Sequence, residues 1–190
     1  MQTPLSPTLW RTCRVLANAS RLRVLKTVLD HGPACVGAIA RAGGISEVSA
    51  TQQLRLLQAR GLLATVRQSR WVYYSAGADP AVEHAAPLLA ALRQAFARGM
   101  EAPDLLFALT AFTHPRRIAL ARILAAGPAS VEEMSVRGGL SRVACYRHMD
   151  KLERRGFVKL GDGNRFQLVS PDSVFAAALL REALGSGARR

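Results

Sequence analysis

Shifted by 95 residues, the chain falls on itself. Gly32-Pro33-Ala34 meets Gly127-Pro128-Ala129, Gly43-Gly44-Ile45-Ser46 meets Gly138-Gly139-Leu140-Ser141, and Arg60-Gly61-Leu62 meets Arg155-Gly156-Phe157. Between 20–75 and 115–170 the alignment needs no gap, and 16 of 56 positions are identical. Residue type is kept at others: Val28 with Ile123, Ile39 with Met134, Trp71 with Phe166. Such a repeat is longer than solenoid units of roughly 20–50 residues and long enough to enclose a core of its own. The chain therefore reads as two like domains, 1–99 and 100–190, with Gly99 and the stretch to Pro103 at the boundary.

Both copies spell one order of elements. In the first, Leu9, Trp10, Cys13 and Leu16 recur at helical spacing over 7–18. Ser20 is placed to cap a second helix carrying Leu22, Leu25, Val28 and Leu29 on one face, and Gly32-Pro33 stops it. A short helix over about 35–42 carries Val36 and Ile39. Gly43-Gly44 makes a turn, and Ser46 caps a fourth helix that runs to Arg60 and ends at Gly61. Two strands follow, LLATV and WVYYS, joined around Gln68-Ser69. The second copy turns the same hairpin at Gly161-Asp162-Gly163-Asn164. Each copy closes with a helix, about 81–97 and about 172–184, and Pro103-Asp104 opens the second copy's first helix, about 104–113. The expected fold class is mainly α with small β-hairpin wings.

Charge narrows the partners. Lys and Arg number 26 against 13 Asp and Glu, a net charge of +13. Both halves share the excess: 12 basic and 4 acidic residues in 1–98, 14 and 9 in 99–190. Such a surface attracts polyanions, nucleic acid first and anionic membrane second. The plainer alternative is an Arg-rich composition that serves solubility. Cys13, Cys35 and Cys145 are too few and too scattered for a disulfide framework, which fits a reducing, cytoplasmic setting. The opening MQTPLSPTLW has no basic region followed by an apolar run, so no signal peptide is expected. No stretch approaches the ~18 apolar residues of a membrane span. The apolar stripes near 81–97 and 172–184 are expected to face core or a dimer surface. His31, His84, His114 and His148 form no catalytic constellation and no Gly-rich loop cradles phosphate, so neither an enzyme nor a cofactor is expected. His148, beside Arg147, reads as a surface or DNA-facing histidine.

Three helices, a glycine turn before the third, then a hairpin make the layout of a winged helix-turn-helix. The major groove admits one α-helix and shows base edges there in a distinct donor and acceptor pattern. The second helix of the pair lies in that groove while the first braces it across the backbone. The sequence resembles the ArsR-type metalloregulator-like winged-helix repressors through LANASRLRVLKTVL, CVGAIARAGGISEVSATQQLRLLQARGLL and RWVYYS, a likeness covering most of 8–98. The second half keeps the plan with fewer family features, in HPRRIALARIL and GGLSRVACYRHMDKLERRGFV. The resemblance implies two tandem winged helix-turn-helix domains in a sequence-specific, DNA-binding transcription regulator, a repressor, on double-stranded DNA at the nucleoid. An unidentified small-molecule effector stays open.

In the first recognition helix Ala50, Leu54 and Leu57 share the inner face. Glu47, Val48, Thr51, Gln52 and Arg55 share the outer one and are expected at DNA. Gln52 suits adenine, Val48 a thymine methyl, Thr51 a base or phosphate, and Arg55 phosphate. Ser46 and the helix N-terminus can take a phosphate. In the second helix Cys145, Met149 and Leu152 lie inward and Arg142, Val143, Tyr146, Arg147 and Asp150 outward, with Arg142 and Arg147 as guanine readers. Asp150, at the place of Arg55, and Glu47 are discordant charges for a phosphate partner. Arg67 and Arg70 stand at the first wing tip, and Arg165 takes the place of Arg70 in the second. Trp71, Tyr73 and Tyr74 read as wing and core packing. The plainer reading of both outer faces is solvated helix surface.

The resembled family often senses metals through paired thiolates, but here Cys35 stands alone with Gly37 where a second thiol is expected. Glu83 with His84, and His31 with Cys35, are too few ligands, and soft-metal sites need three or four; no metal is expected. Relatives with one such domain dimerise through their first and last helices. Two copies in one chain can therefore form an intramolecular pseudo-dimer with recognition helices roughly 34 Å apart. A homodimer with four winged helices is the other arrangement. Two further readings compete: a tandem winged-helix protein-interaction module of a chromosome-associated complex, and a plasmid replication initiator.

Overall fold

The computed structural model describes residues 7–185. Residues 1–6, within the stretch read for a signal peptide, and 186–190, the end of the second expected domain, lie outside the described residues. The first repeat runs α1 (Leu9–Leu16), α2 (Ala19–His31), β1 (Ala34–Cys35), α3 (Val36–Gly43), α4 (Glu47–Gln58), β2 (Leu63–Gln68), β3 (Trp71–Ala76) and α5 (Ala85–Ala97). The second runs α6 (Ala102–Leu109), α7 (Pro115–Ala125), α8 (Val131–Gly138), α9 (Arg142–Glu153), β4 (Val158–Gly161), β5 (Arg165–Leu168) and α10 (Val174–Leu184). Single 3-10 turns sit at Thr110–Phe112 and Asp162–Asn164. The described residues are mainly helical with two small antiparallel sheets. No helix among the described residues is long and apolar enough to cross a membrane.

Local chemistry sets the helix starts and stops. The cap of α2 is Asn18, not Ser20: the Asn18 side chain accepts from the Arg21 amide at 2.9 Å, and Ser20 lies inside the first turn. Ser46 and Ser141 cap α4 and α9, accepting at 3.2 Å from the amides of Ser49 and Ala144. Ahead of them, Gly44 and Gly139 end α3 and α8 at φ +61° and +59°, a left-handed conformation that glycine adopts without a Cβ penalty. Ser130 and Glu133 form a reciprocal capping box on α8. The helix expected over 104–113 breaks after Leu109 into a 3-10 turn that turns Phe112 inward.

The hairpins differ in length, which corrects the gapless alignment. In the first repeat Leu63 pairs with Ala76 and β1 adds a third strand through Ala34 opposite Tyr74. In the second, Val158 pairs with Leu168, and Ala129 bridges Phe166. Phe166 thus stands at the place of Tyr74 rather than Trp71, and the second hairpin is three residues shorter. Both Tyr74 and Phe166 are buried, while Trp71 is half exposed and so is not the packing residue expected. By the same register Arg165, paired with Gly161, stands at the place of Tyr73, which pairs with Val66. Alternation along a short strand hides such a deletion, because aromatic residues occur at both Trp71 and Tyr74.

One apolar core runs through both repeats. α5 packs along α10, α1 lies on α6 and on the 3-10 turn after it, and α6 reaches α2. Leu88 and Leu92 of α5 and Phe175 and Leu179 of α10 are fully buried in this core. Each such side chain contributes about 1.5–3 kcal/mol through burial. Phe112 meets Phe157 edge-to-face at 4.8 Å between centroids. Thr12 and His84 share the first repeat's buried side-chain hydrogen bond, 2.8 Å, which ties α1 to the approach of α5.

Candidate nucleic-acid interface

In the first repeat α3, a tight turn and α4 hold one helix face outward. Ala50, Leu54 and Leu57 are fully buried, as their spacing requires. Glu47, Val48, Gln52 and Arg55 are exposed, and Thr51 is half-buried. Thr51 donates its hydroxyl proton to the Glu47 carbonyl at 2.7 Å, which leaves its oxygen as an acceptor toward solvent. The Ser46 oxygen accepts from its helix, so its proton stays available. Glu47, the discordant charge, lies back over α3, where a Cβ added to Gly37 would stand 2.9 Å from its Oε1.

Arg21 is a residue the sequence reading missed. Its Nε donates to Gln53 at 2.9 Å and its Nη1 to the Val15 carbonyl, so one guanidinium joins α1, α2 and α4. The signal was available: Gln53 is a polar residue one step from the buried Leu54. At the hairpin tip, Arg67 donates to the Ser69 carbonyl and the Arg70 guanidinium lies 5.3 Å above the Trp71 ring. Neither these two nor Arg55 meets an acidic partner among the described residues.

The second repeat keeps the frame and changes the face. Cys145, Met149 and Leu152 are buried; Arg142, Val143, Tyr146 and Arg147 are exposed. Here three arginines meet carboxylates. Arg142 stands 3.7 Å from Glu132, and Asp150 holds Arg154 at 3.0 Å. Arg165 binds Glu133 at 2.8 Å and donates to the Pro128 carbonyl at 2.9 Å. The Ser130 backbone and then Arg165 hold the Glu133 carboxyl below its ordinary range. Arg165 is thus away from the tip, which is formed by Asp162, Gly163 and Asn164 without a cation. Arg147 has no acidic partner among the described residues.

His148 corrects the surface reading. It is 6% exposed and turned toward α7, with its ring centroid 4.7 Å from that of His114 and its Nε2 without a partner. Spacing explains this: 145, 148, 149 and 152 share one helix face. Burial first, then His114 and the charges of Arg117, Arg147 and Arg116, push its pKa down to about 4. Gln53 is its counterpart in the other repeat.

Between α8, α9 and the β4–β5 hairpin lies a groove of about 540 Å³, floored by Val131 and Phe166. The corresponding groove of the first repeat, about 350 Å³, includes Cys35, Arg41, Glu47 and Trp71. Burial pushes the Cys13 thiol up to about 12 and raises that of Cys145, so both are inert packing groups. No three His, Cys, Asp or Glu among the described residues are grouped to hold a metal.

No family model matches the chain. The sequence is similar to nodulation protein NolR of Rhizobium meliloti, 36% identical over 64 residues. That match covers 34% of this chain and 52% of the relative, so the chain spans about half the length of the curated protein it matches.

Proposed function

We propose that this chain is a DNA-binding transcriptional regulator made of two winged helix-turn-helix domains, 1–99 and 100–190, with a repressor's role at the nucleoid. One observation carries the reading: α4 presents a polar, exposed face next to a hairpin tip whose Arg67 and Arg70 lack acidic partners among the described residues. A helix so held fits the major groove, and uncompensated arginines beside it fit phosphate or a narrow minor groove. The partial likeness to NolR points the same way. In this reading Gln52, Val48 and Thr51 meet bases, while Ser46, Arg55, Arg67 and Arg70 meet backbone.

The helices α1, α5, α6 and α10 form the seam, so one chain acts as a pseudo-dimer and α9 is the second recognition helix. Its Arg142, Val143, Tyr146 and Arg147 approach DNA more weakly than α4, because Glu132 and Asp150 stand beside them and Glu133 engages Arg165. Selection of duplexes from random DNA, followed by anisotropy titration, tests the proposal. The expected product is a site with one strong half and one weak, unlike half. Failure of any duplex to associate at low ionic strength, where phosphate contacts are strongest, overturns it. Sedimentation of the complex separates one chain per site from a homodimer.

A further inference from the structure

We propose that the groove between α8, α9 and the β4–β5 hairpin binds a small apolar organic acid, an aromatic carboxylate. Its volume of about 540 Å³ lies within the range of small-molecule sites. Val131 and Phe166 make the floor, and Val143, Tyr146 and Leu160 the walls. Val143 is 79% and Tyr146 62% exposed, so apolar surface stands open along the groove.

Charge selects the occupant. Of the two arginines lining the groove, Arg142 is compensated by Glu132 and Arg147 by no carboxylate among the described residues. A guanidinium at the edge of an apolar slot pairs bidentately with a carboxylate whose ring lies in the slot. The first repeat shows what this requires. Thr51, Gln52 and Thr65 stand where the second has Tyr146, Arg147 and Leu160. There the smaller groove is lined by one carboxylate, Glu47, and one arginine, Arg41, whereas the second sets Glu132 against two arginines, Arg142 and Arg147. With Arg142 also standing where the first repeat has Glu47, four replacements make the second groove more apolar and give it a second arginine.

The consequence for control of DNA binding rests on the regulator reading; the groove's chemistry does not. An occupant would stand between α9 and any duplex on that face, making it an effector of the second repeat. Calorimetric titration of the full chain with naphthalene carboxylate, and with its neutral carboxamide, provides the test. We expect saturable binding of the acid and at least about tenfold weaker binding of the amide. Arg147→Gln removes most of that difference, and Leu160→Thr, which restores the first repeat's residue, weakens both probes. Gln52→Ala changes neither. Equal affinity for acid and amide, no saturable binding, or an undiminished preference for the acid in Arg147→Gln overturns the proposal. Duplex binding measured on the same protein separates the two readings. DNA binding without naphthalene carboxylate binding rejects only the groove. The converse rejects only the regulator.

Discussion

The two repeats share a frame and differ in what they display on it. In both, a serine cap follows a left-handed glycine, and three apolar residues anchor the outer helix. The first displays Gln52, Thr51 and unpaired arginines; the second displays Val143, Tyr146 and Arg147 beside Arg142, Arg154 and Arg165, which meet carboxylates. A fold held by caps and inner-face packing leaves the outer face free to change, because exposed substitutions cost little stability. Formal charge alone misleads here. Among the described residues of the second half, Arg142, Arg154 and Arg165 are engaged by carboxylates, whereas Arg55, Arg67 and Arg70 of the first are not.

The largest expected effect tests whether the halves are separate bodies at all. Phe112→Ala, at the contact between α1 and the second repeat, should cost about 3–5 kcal/mol. Because the core is continuous, denaturant should still unfold the chain in one transition; two separated transitions would split the comparison into independent domains.

His148 marks a second difference. Its folded pKa of about 4 lies below the unfolded value, so the unfolded chain takes up the proton first as pH falls. Stability should therefore decline from about pH 6.5 toward pH 4, by on the order of 2–3 kcal/mol. His148→Gln, which installs the first repeat's residue, should flatten that decline in melts taken across this range. A decline unchanged in the variant would assign it to other groups.

At the proposed DNA face, Gln52→Ala should weaken a selected duplex by about 1–3 kcal/mol. Arg147→Ala, at the matching position, should cost less. A larger loss for Arg147→Ala would reverse the ranking of the repeats. The smallest effect separates the hairpins. Arg70→Ala should lower the slope of log affinity against log salt by about 0.9, the value of one lost phosphate contact. Arg165→Ala should leave that slope unchanged, since Glu133 already holds its guanidinium.

The order of elements, the inner faces of α4 and α9 and the serine caps of both helices were legible in residue spacing, because each is set within one or two turns of chain. The outer-face residues of α4 were legible for the same reason. The reading failed where a residue's place depends on a partner far along the chain. Arg165 looked like a tip cation until Pro128 and Glu133 were brought beside it. His148 looked exposed until α7 covered it, and Arg21 showed no role until Gln53 met it.

The sequence by itself determined a residue pattern that recurs after 95 positions, with helices of given phase ending at given glycines, since periodicity and capping are local and leave their mark in consecutive residues. Tertiary structure alone decided which strand residues face each other across the shortened hairpin, which arginines remain without a carboxylate, and that a single core spans both copies. Those outcomes depend on distances between segments far apart in the chain, and a linear pattern carries no record of them.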